Sequence, residues 1–464
     1  MRLFGLGAES IWLDEVTSLT IARMDLASVV AWAAGDIHPP LYYLVLHFWL
    51  YLGESEYALR ALSALVGIAC VAVVYALATE MWDRKVGWWS ALLLALSPLH
   101  IWYSQEARMY GMATTLSLLS SYFLVLGLER QRASYWIGYV ISAVLAIYTH
   151  YFVLFVFLFQ WVFALYWLCR ERSGAGRRSW LTVQVLVALL FLPWMPILYH
   201  QVTTGGGGWV EKAIGRPTLS SLLDTWIHYS TGLFRQVYPT LVRRLAYILF
   251  AFCSLLAGTH LLSDRRRGAA LFSLGYVALP VMTIWSLSQV KPMYSIRYLL
   301  LFVPGYCMVL ASGLHAVRGD HLRNVLALAL IVILVVGAWQ GAVAEQNPDW
   351  RGLTAFVMNG AGPDDVVLFS PRWNEKPFDY YSRGSVVTSM DLPIPVSDAS
   401  ARRVVSDLAE RYRRIWLVWE RGHYSDPQGI ANGVLEAEGR MLGEFSFRGT
   451  ASLLLYDLSS GERD

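Results

Sequence analysis

Residues 59–79 read LRALSALVGIACVAVVYALAT, a run of apolar and small residues interrupted by one charge, Arg60. At about 1.5 Å per residue, a helix of about 20 residues covers the hydrocarbon thickness of a bilayer. Outward from this stretch, further apolar runs fall at Val86 to Tyr103, Gly111 to Leu128, Tyr135 to Tyr148, Tyr151 to Leu168 and Trp180 to Tyr199. Four more follow at Leu245 to Leu262, Ala269 to Leu287, Leu299 to Ala316 and Asn324 to Val343. Some are short for a straight crossing, but together they predict a polytopic α-helical membrane protein of about ten transmembrane helices.

Composition agrees. Of 464 residues, 56% are hydrophobic and 15% charged, and the mean hydropathy is +0.44. A soluble domain is nearer half apolar and a quarter charged. The 20 Trp and 26 Tyr fit interfacial belts as well as a sugar-handling surface. A net charge of +3 excludes nucleic acid as the expected partner. Cys70, Cys169, Cys253 and Cys307 lie in apolar runs at unrelated spacings, with neither a metal motif nor a disulfide framework.

The connections give an orientation. Arg84 and Lys85, Arg130 and Arg132, the group Arg170, Arg172, Arg177 and Arg178, the triplet Arg265 to Arg267, and Arg318 with Arg323 occupy every second connection. The positive-inside rule assigns them to the cytoplasmic face. Residues 1–57, the segments around Glu106, His150, Arg216 and Arg297, and the C-terminal part are then expected outside. The apolar stretch from Pro39 to Gly53, closed by Glu54 and Glu56, is short for a crossing and reads as an interfacial or re-entrant helix.

Three domains are expected: residues 1–57 as an outer loop with interfacial helices, 58–343 as the membrane domain, and 344–464 as a small outer α/β domain. In the last, strand-like runs at Val366 to Ser370, Arg414 to Trp419 and Ser452 to Tyr456 alternate with helix-like runs near Leu353 to Asn359 and Ala399 to Arg411. Between the domains' main features, Gln201 to Arg244 holds the glycine run Gly205 to Gly208, then a helix-like stretch with Asp224 and His228 expected on the membrane surface. The chain starts Met1-Arg2-Leu3-Phe4-Gly5, with neither a signal peptide nor a span to carry the first segment outward. An upstream in-frame start encoding such a helix is expected.

The candidate chemistry sits in the outer segments. Asp14 and Glu15, within Trp12-Leu13-Asp14-Glu15, are adjacent carboxylates that suit proton transfer from a hydroxyl. The helix dipole also favours acids at a helix start, which is the alternative reading. His38, in Asp36-Ile37-His38-Pro39-Pro40-Leu41-Tyr42-Tyr43, is a site residue or a polar cap at a proline-fixed helix entry. In Gln105-Glu106-Ala107-Arg108-Met109-Tyr110, the two charges bind substrate or satisfy each other at the bilayer edge. His150 interrupts a long apolar run, and Lys291 and Arg297 bring cations to a helix mouth, where a lipid phosphate is a suitable partner. His47, Asp224, His228 and Arg235 are weaker candidates.

These residues, in this order, resemble those of bacterial glycosyltransferase family 39 membrane proteins. Trp12 to Glu15, His38 to Tyr43, Arg60, Gln105 to Tyr110 and Arg297 to Leu300 carry the resemblance, with Asp349-Trp350-Arg351 also similar. That group is similar to the protein O-mannosyltransferases and the aminoarabinose transferases of lipid A, with the GT-C fold. The resemblance implies a bacterial inner-membrane enzyme acting at the outer face, with a polyprenyl-phosphate-sugar donor and a protein, lipid or glycan acceptor hydroxyl. It implies Asp14 as the catalytic base with Glu15 beside it, and His38, Arg60, Glu106, Arg108, Tyr110, His150, Lys291 and Arg297 around the substrate. No cofactor is expected, and a divalent metal is left open. Two other classes compete, a flippase or transporter of the lipid-linked sugar and a ligase or polymerase of the same fold. The scarcity of ionisable residues inside the spans argues against ion-coupled transport.

Overall fold

The structure, a computed structural model, describes all residues except 172–173, 205–213, 234–237, 345–346, 384–387, 393–395, 421–425, 450 and 460–464. Arg172, Gly205 to Gly208 and Arg235 lie outside the described residues. The chain forms two compact units, one of Met1–Leu6 with Ile21–Val343, the other of Gly7–Thr20 with Ala344–Asp464. This division cuts across the expected boundary at residue 57, because the segment from Gly7 to Thr20 clusters with residues more than 330 positions away in sequence.

Helix α1 (Leu13–Ala22) starts in the second unit and ends in the first. The first, membrane, unit continues with α2 (Leu26–Gly35), α3 (Leu41–Trp49), α4 (Glu56–Met81), α5 (Arg84–Leu96), α6 (Pro98–Ser104), α7 (Tyr110–Arg130), α8 (Ala133–Ile147), α9 (Val153–Glu171) and α10 (Gly174–Phe191). After a 3₁₀ turn come α11 (Met195–Thr204), α12 (Leu219–Thr231), α13 (Thr240–Gly258), α14 (Arg267–Leu287), α15 (Ile296–Leu299), α16 (Val303–Ala316) and α17 (Asp320–Val343). Among the described residues, eight stretches are long and apolar enough to cross a membrane. They correspond to eight of the ten expected runs.

The other two runs fall short for identifiable reasons. The run from Val86 to Tyr103 is broken into α5 and α6 at Ser97-Pro98, since proline has no N–H for the helical ladder. Ser97 caps the new helix through the His100 N–H at 3.4 Å. Helix α8 has 15 residues, about 22 Å, and stops before Thr149-His150-Tyr151. The stretch from Leu41 to Leu52 is a short apolar helix, as its sequence implies.

Two spans form the heart of the unit: 78% of the Tyr110–Arg130 window and 89% of the Ile296–Ala316 window are buried, against 44% or less elsewhere. Helix α7 is suited to this place by small hydroxylated residues. Thr114, Thr115, Ser117, Ser120 and Ser121 are buried and return their hydroxyl protons to carbonyls within their own helix. Gln160 of α9 donates to Ser120 and Ser121 at 2.8 and 2.9 Å, an interhelical bond of the kind that holds membrane bundles. At Gly313, α16 approaches α13 so closely that a Cβ would lie 1.9 Å from the Cys253 carbonyl oxygen.

The second unit adds α18 (Trp350–Gly360), α19 (Glu375–Ser382), α20 (Asp398–Ala409) and α21 (Ile430–Glu438) to strands β1 (Asp365–Ser370), β2 (Thr388–Asp391), β3 (Arg414–Trp419), β4 (Arg440–Ser446) and β5 (Ser452–Asp457). The sheet order is β2-β1-β3-β5-β4. Strand β1 pairs parallel with β2 and β3, while β5 pairs antiparallel with β3 and β4. The three expected strands are present; β2, β4, α19 and α21 lack the apolar patterning that announced the others. Alternate side chains serve opposite faces. Val366, Leu368, Ile415 and Leu417 pack with α20 and α21, while Val367, Phe369, Trp416 and Val418 pack with α18 and α19. The edge strand β4 is interrupted by a register shift between Met441 and Gly443.

Candidate active site

In the membrane unit, the connections between helices bring several of the expected site residues together. His150, between α8 and α9, has its ring centroid 5.5 Å from that of His38, 6.0 Å from Tyr110 and 5.2 Å from Tyr298. Arg108 stacks over Tyr110 at 5.9 Å from the ring centre, and Tyr110 in turn meets Tyr103 at 5.7 Å. The charges of Glu106 and Arg297 both reach the Tyr103 hydroxyl. Glu106 accepts the indole N–H of Trp102 at 2.9 Å.

A cleft of about 180 Å³ opens against this aromatic group. His38, His150 and Lys291 line it, together with apolar side chains such as Phe152, Leu198 and Met293. Lys291 donates to the Val202 carbonyl at 3.0 Å. One wall is fixed by Gln201, which donates to the Ala33 carbonyl at 2.8 Å, satisfying the end of α2, and accepts the Tyr151 hydroxyl at 2.5 Å. Trp194 completes the chain by donating to Tyr151 at 2.7 Å.

Electrostatics distinguish the polar members. His38 and Asp36 pair through Nδ1 and Oδ2 at 3.2 Å. Burial opposes ionisation of Asp36, but the hydrogen bond and charge of His38, the Ile37 N–H and the charge of Arg108 outweigh it, so its carboxyl lies below the ordinary value. His150 is only 3% exposed. Burial first, then the positive charges of His38 and Arg108, push its pKa well below the ordinary 6.5. Its Nδ1 accepts the Phe152 N–H at 3.1 Å, which assigns the ring proton to Nε2. That buried Nε2 has no hydrogen-bond partner among the described residues.

Not every expected residue joins this group. Arg60 is buried near the start of α4, donates to the Leu6 carbonyl at 2.7 Å, and does not line the cleft. His47 bonds the Ala22 carbonyl at 2.8 Å and His228 the Asp224 carbonyl at 2.6 Å, and neither lines the cleft. Sequence reasoning missed Asp36 as the partner of His38, although their two-residue spacing was visible. It also missed Gln201, Tyr151 and Tyr298, which look like ordinary helix-end residues until distant segments meet.

Asp14 and Glu15 belong to the second unit and occupy the first turn of α1. Glu15 is 1% exposed, while Asp14 is partly exposed. The backbone is held just before them: the Ile11 N–H donates to the Tyr381 hydroxyl at 2.7 Å. Asn347 donates to the Ser10 carbonyl at 3.1 Å, Arg351 to the Gly7 carbonyl at 3.2 Å, and the Arg351 N–H to the Ser10 hydroxyl at 3.1 Å. Among the described residues, no group of three or more His, Cys, Asp or Glu is gathered as a metal site would require.

Residues 37–197, which contain His38, Arg60, Glu106, Arg108, Tyr110 and His150, match the family described as dolichyl-phosphate-mannose-protein mannosyltransferase. The fold matches ArnT from Cupriavidus metallidurans in the apo state with a TM-score of 0.65 and 11% identity, over 100% of this chain and 97% of that one. For the same protein bound to undecaprenyl phosphate, the TM-score is 0.62 at 11% identity, covering 99% and 96%. The Archaeoglobus fulgidus oligosaccharyltransferase gives 0.57 at 13% identity, covering 98% and 70%. No curated protein matches by sequence. The whole chain therefore shares the GT-C fold of these membrane glycosyltransferases, and its residues 37–197 resemble the mannosyltransferase family.

Proposed function

We propose that this chain moves a sugar from a polyprenyl-phosphate donor to an acceptor hydroxyl at the outer face of a bacterial inner membrane, with Asp14 as the base. The observation that carries the reading is the cleft beside His150. Its apolar walls suit an isoprenoid, while the unpartnered Nε2 of His150 and the ammonium of Lys291 are donors suited to phosphate oxygens. The family description and the undecaprenyl phosphate bound by ArnT support the same donor class. The alternation of basic connections supports the outer face.

In the reaction, the Asp14 carboxylate takes the proton of the acceptor hydroxyl as its oxygen bonds the anomeric carbon. The bond from that carbon to the phosphate oxygen breaks, and its electron pair leaves with the phosphate. This leaving group needs balancing cations more than a proton donor, a task for Lys291 and Arg297. A single displacement inverts the anomeric centre. Asp14 takes the base role rather than Glu15 because it is the more exposed of the two. The acceptor is a protein, a lipid or a glycan.

The test is Asp14→Asn in isolated membranes supplied with labelled polyprenyl-phosphate sugars. Transfer falls by about 10²- to 10⁴-fold while the amount of protein in the membrane is unchanged. Near-normal transfer by this variant rules out the assignment, and relocation of intact donor without consumption identifies a flippase instead.

A further inference from the structure

The small α/β unit and the acidic segment are one structural body, and the bonds between them are concentrated on the residues immediately before Asp14. From Gly7 to Ile11, three backbone polar groups are taken by side chains of the α/β unit: the Gly7 carbonyl by Arg351, the Ser10 carbonyl by Asn347, and the Ile11 N–H by Tyr381. The Ser10 hydroxyl is engaged twice, donating to Asp349 at 3.3 Å and accepting from the Arg351 N–H. Asp349 is itself fixed, because its carboxylate caps α18 through the Gly352 N–H at 2.9 Å. Tyr381 stands on α19, and the Arg351 guanidinium lies 5.9 Å from its ring centre. Helix α1 begins two residues after Ile11, its first turn closed by the Val16 N–H on the Trp12 carbonyl at 2.9 Å.

We propose that the α/β unit is the platform that aims Asp14, with Tyr381 as the principal positioning residue and Ser10 as the second anchor. The proposal rests on the reading of Asp14 as base. A carboxylate that must meet a hydroxyl within hydrogen-bond reach tolerates little play, and a displacement near 1 Å costs on the order of 100-fold in rate. Tyr381 acts through the backbone rather than on the substrate: removing its hydroxyl leaves the Ile11 N–H without its acceptor and frees the entry to α1. Its location, 370 residues from Ile11 in the chain, is why no sequence pattern advertises it.

The test uses the full-length protein in membranes or detergent, with Tyr381→Phe and Ser10→Ala as variants and lipid-linked sugars extracted from the source organism as donor. Tyr381→Phe lowers kcat for transfer by about 10- to 100-fold at unchanged donor KM. Binding of undecaprenyl phosphate stays as in the parent. Hydrogen exchange accelerates at residues 7–20 and not in strands β1 and β3. Ser10→Ala shows the same pattern more weakly. Unchanged kcat in Tyr381→Phe, with Asp14→Asn inactive, overturns the inference and spares the base. Activity in Asp14→Asn overturns the base assignment whatever Tyr381→Phe does. A Tyr381→Phe protein with faster exchange throughout the sheet has lost the domain rather than the aim, and this also overturns the inference.

Discussion

His150 is held neutral in the folded chain, and this has a measurable consequence. Its folded pKa lies below the 6.5 of an ordinary histidine, so the unfolded chain binds a proton that the folded chain refuses. Stability is therefore fully retained above pH 6.5 and declines as the pH falls below it. Thermal unfolding in detergent at about pH 7.5 and about pH 5.5 shows a lower midpoint at the acidic pH. In His150→Phe that difference shrinks; a difference of undiminished size assigns the acid sensitivity elsewhere. Asp36 works in the same sense at lower pH: its depressed carboxyl adds stability above the ordinary carboxylate range, which is lost as the pH falls through its lower folded value.

Among the elements, helix contacts are governed by close approach as much as by hydropathy. Gly313 faces the Cys253 carbonyl with no room for a methyl group, whereas a Cβ at Gly268, in the first turn of α14, meets nothing within 4 Å. Gly313→Ala destabilises the fold by about 1–3 kcal/mol through forced separation of α16 and α13. Gly268→Ala leaves the unfolding midpoint unchanged or slightly raised. Equal midpoints for the two variants contradict the packing described. The element scale also limits what sequence can reveal. Eight spans were legible because a bilayer demands long apolar runs, but the interruption at Ser97-Pro98 was hidden because apolar residues continue on both sides of it. Strand β1 was legible from its run of buried apolar residues; β4, mostly exposed, was not.

For the whole molecule, the candidate site divides by how far its parts lie apart in sequence. Short motifs around His38, Glu106 and His150 could be read directly, since each is a polar interruption in apolar surroundings. The hold on the Asp14 segment could not, because Ser10, Asn347, Asp349, Arg351 and Tyr381 come together only when segments more than 330 residues apart in sequence meet. The proposed orientation is open to a direct check. Alkaline phosphatase fused after Val343 is active, and the same reporter fused after Arg266 is inactive; the reverse pattern inverts the topology.

The register shift in β4 bears on how copies of the protein coexist. An uninterrupted edge strand offers a ladder of free amides and carbonyls to any strand of another molecule, and confinement to a two-dimensional sheet of lipid raises the frequency of such encounters. The bulge between Met441 and Gly443 spoils the regular spacing on which that ladder depends. The exposed Met441 and Leu442 therefore sit on an edge that a neighbour cannot extend in register, which protects a crowded membrane from aggregation through this domain.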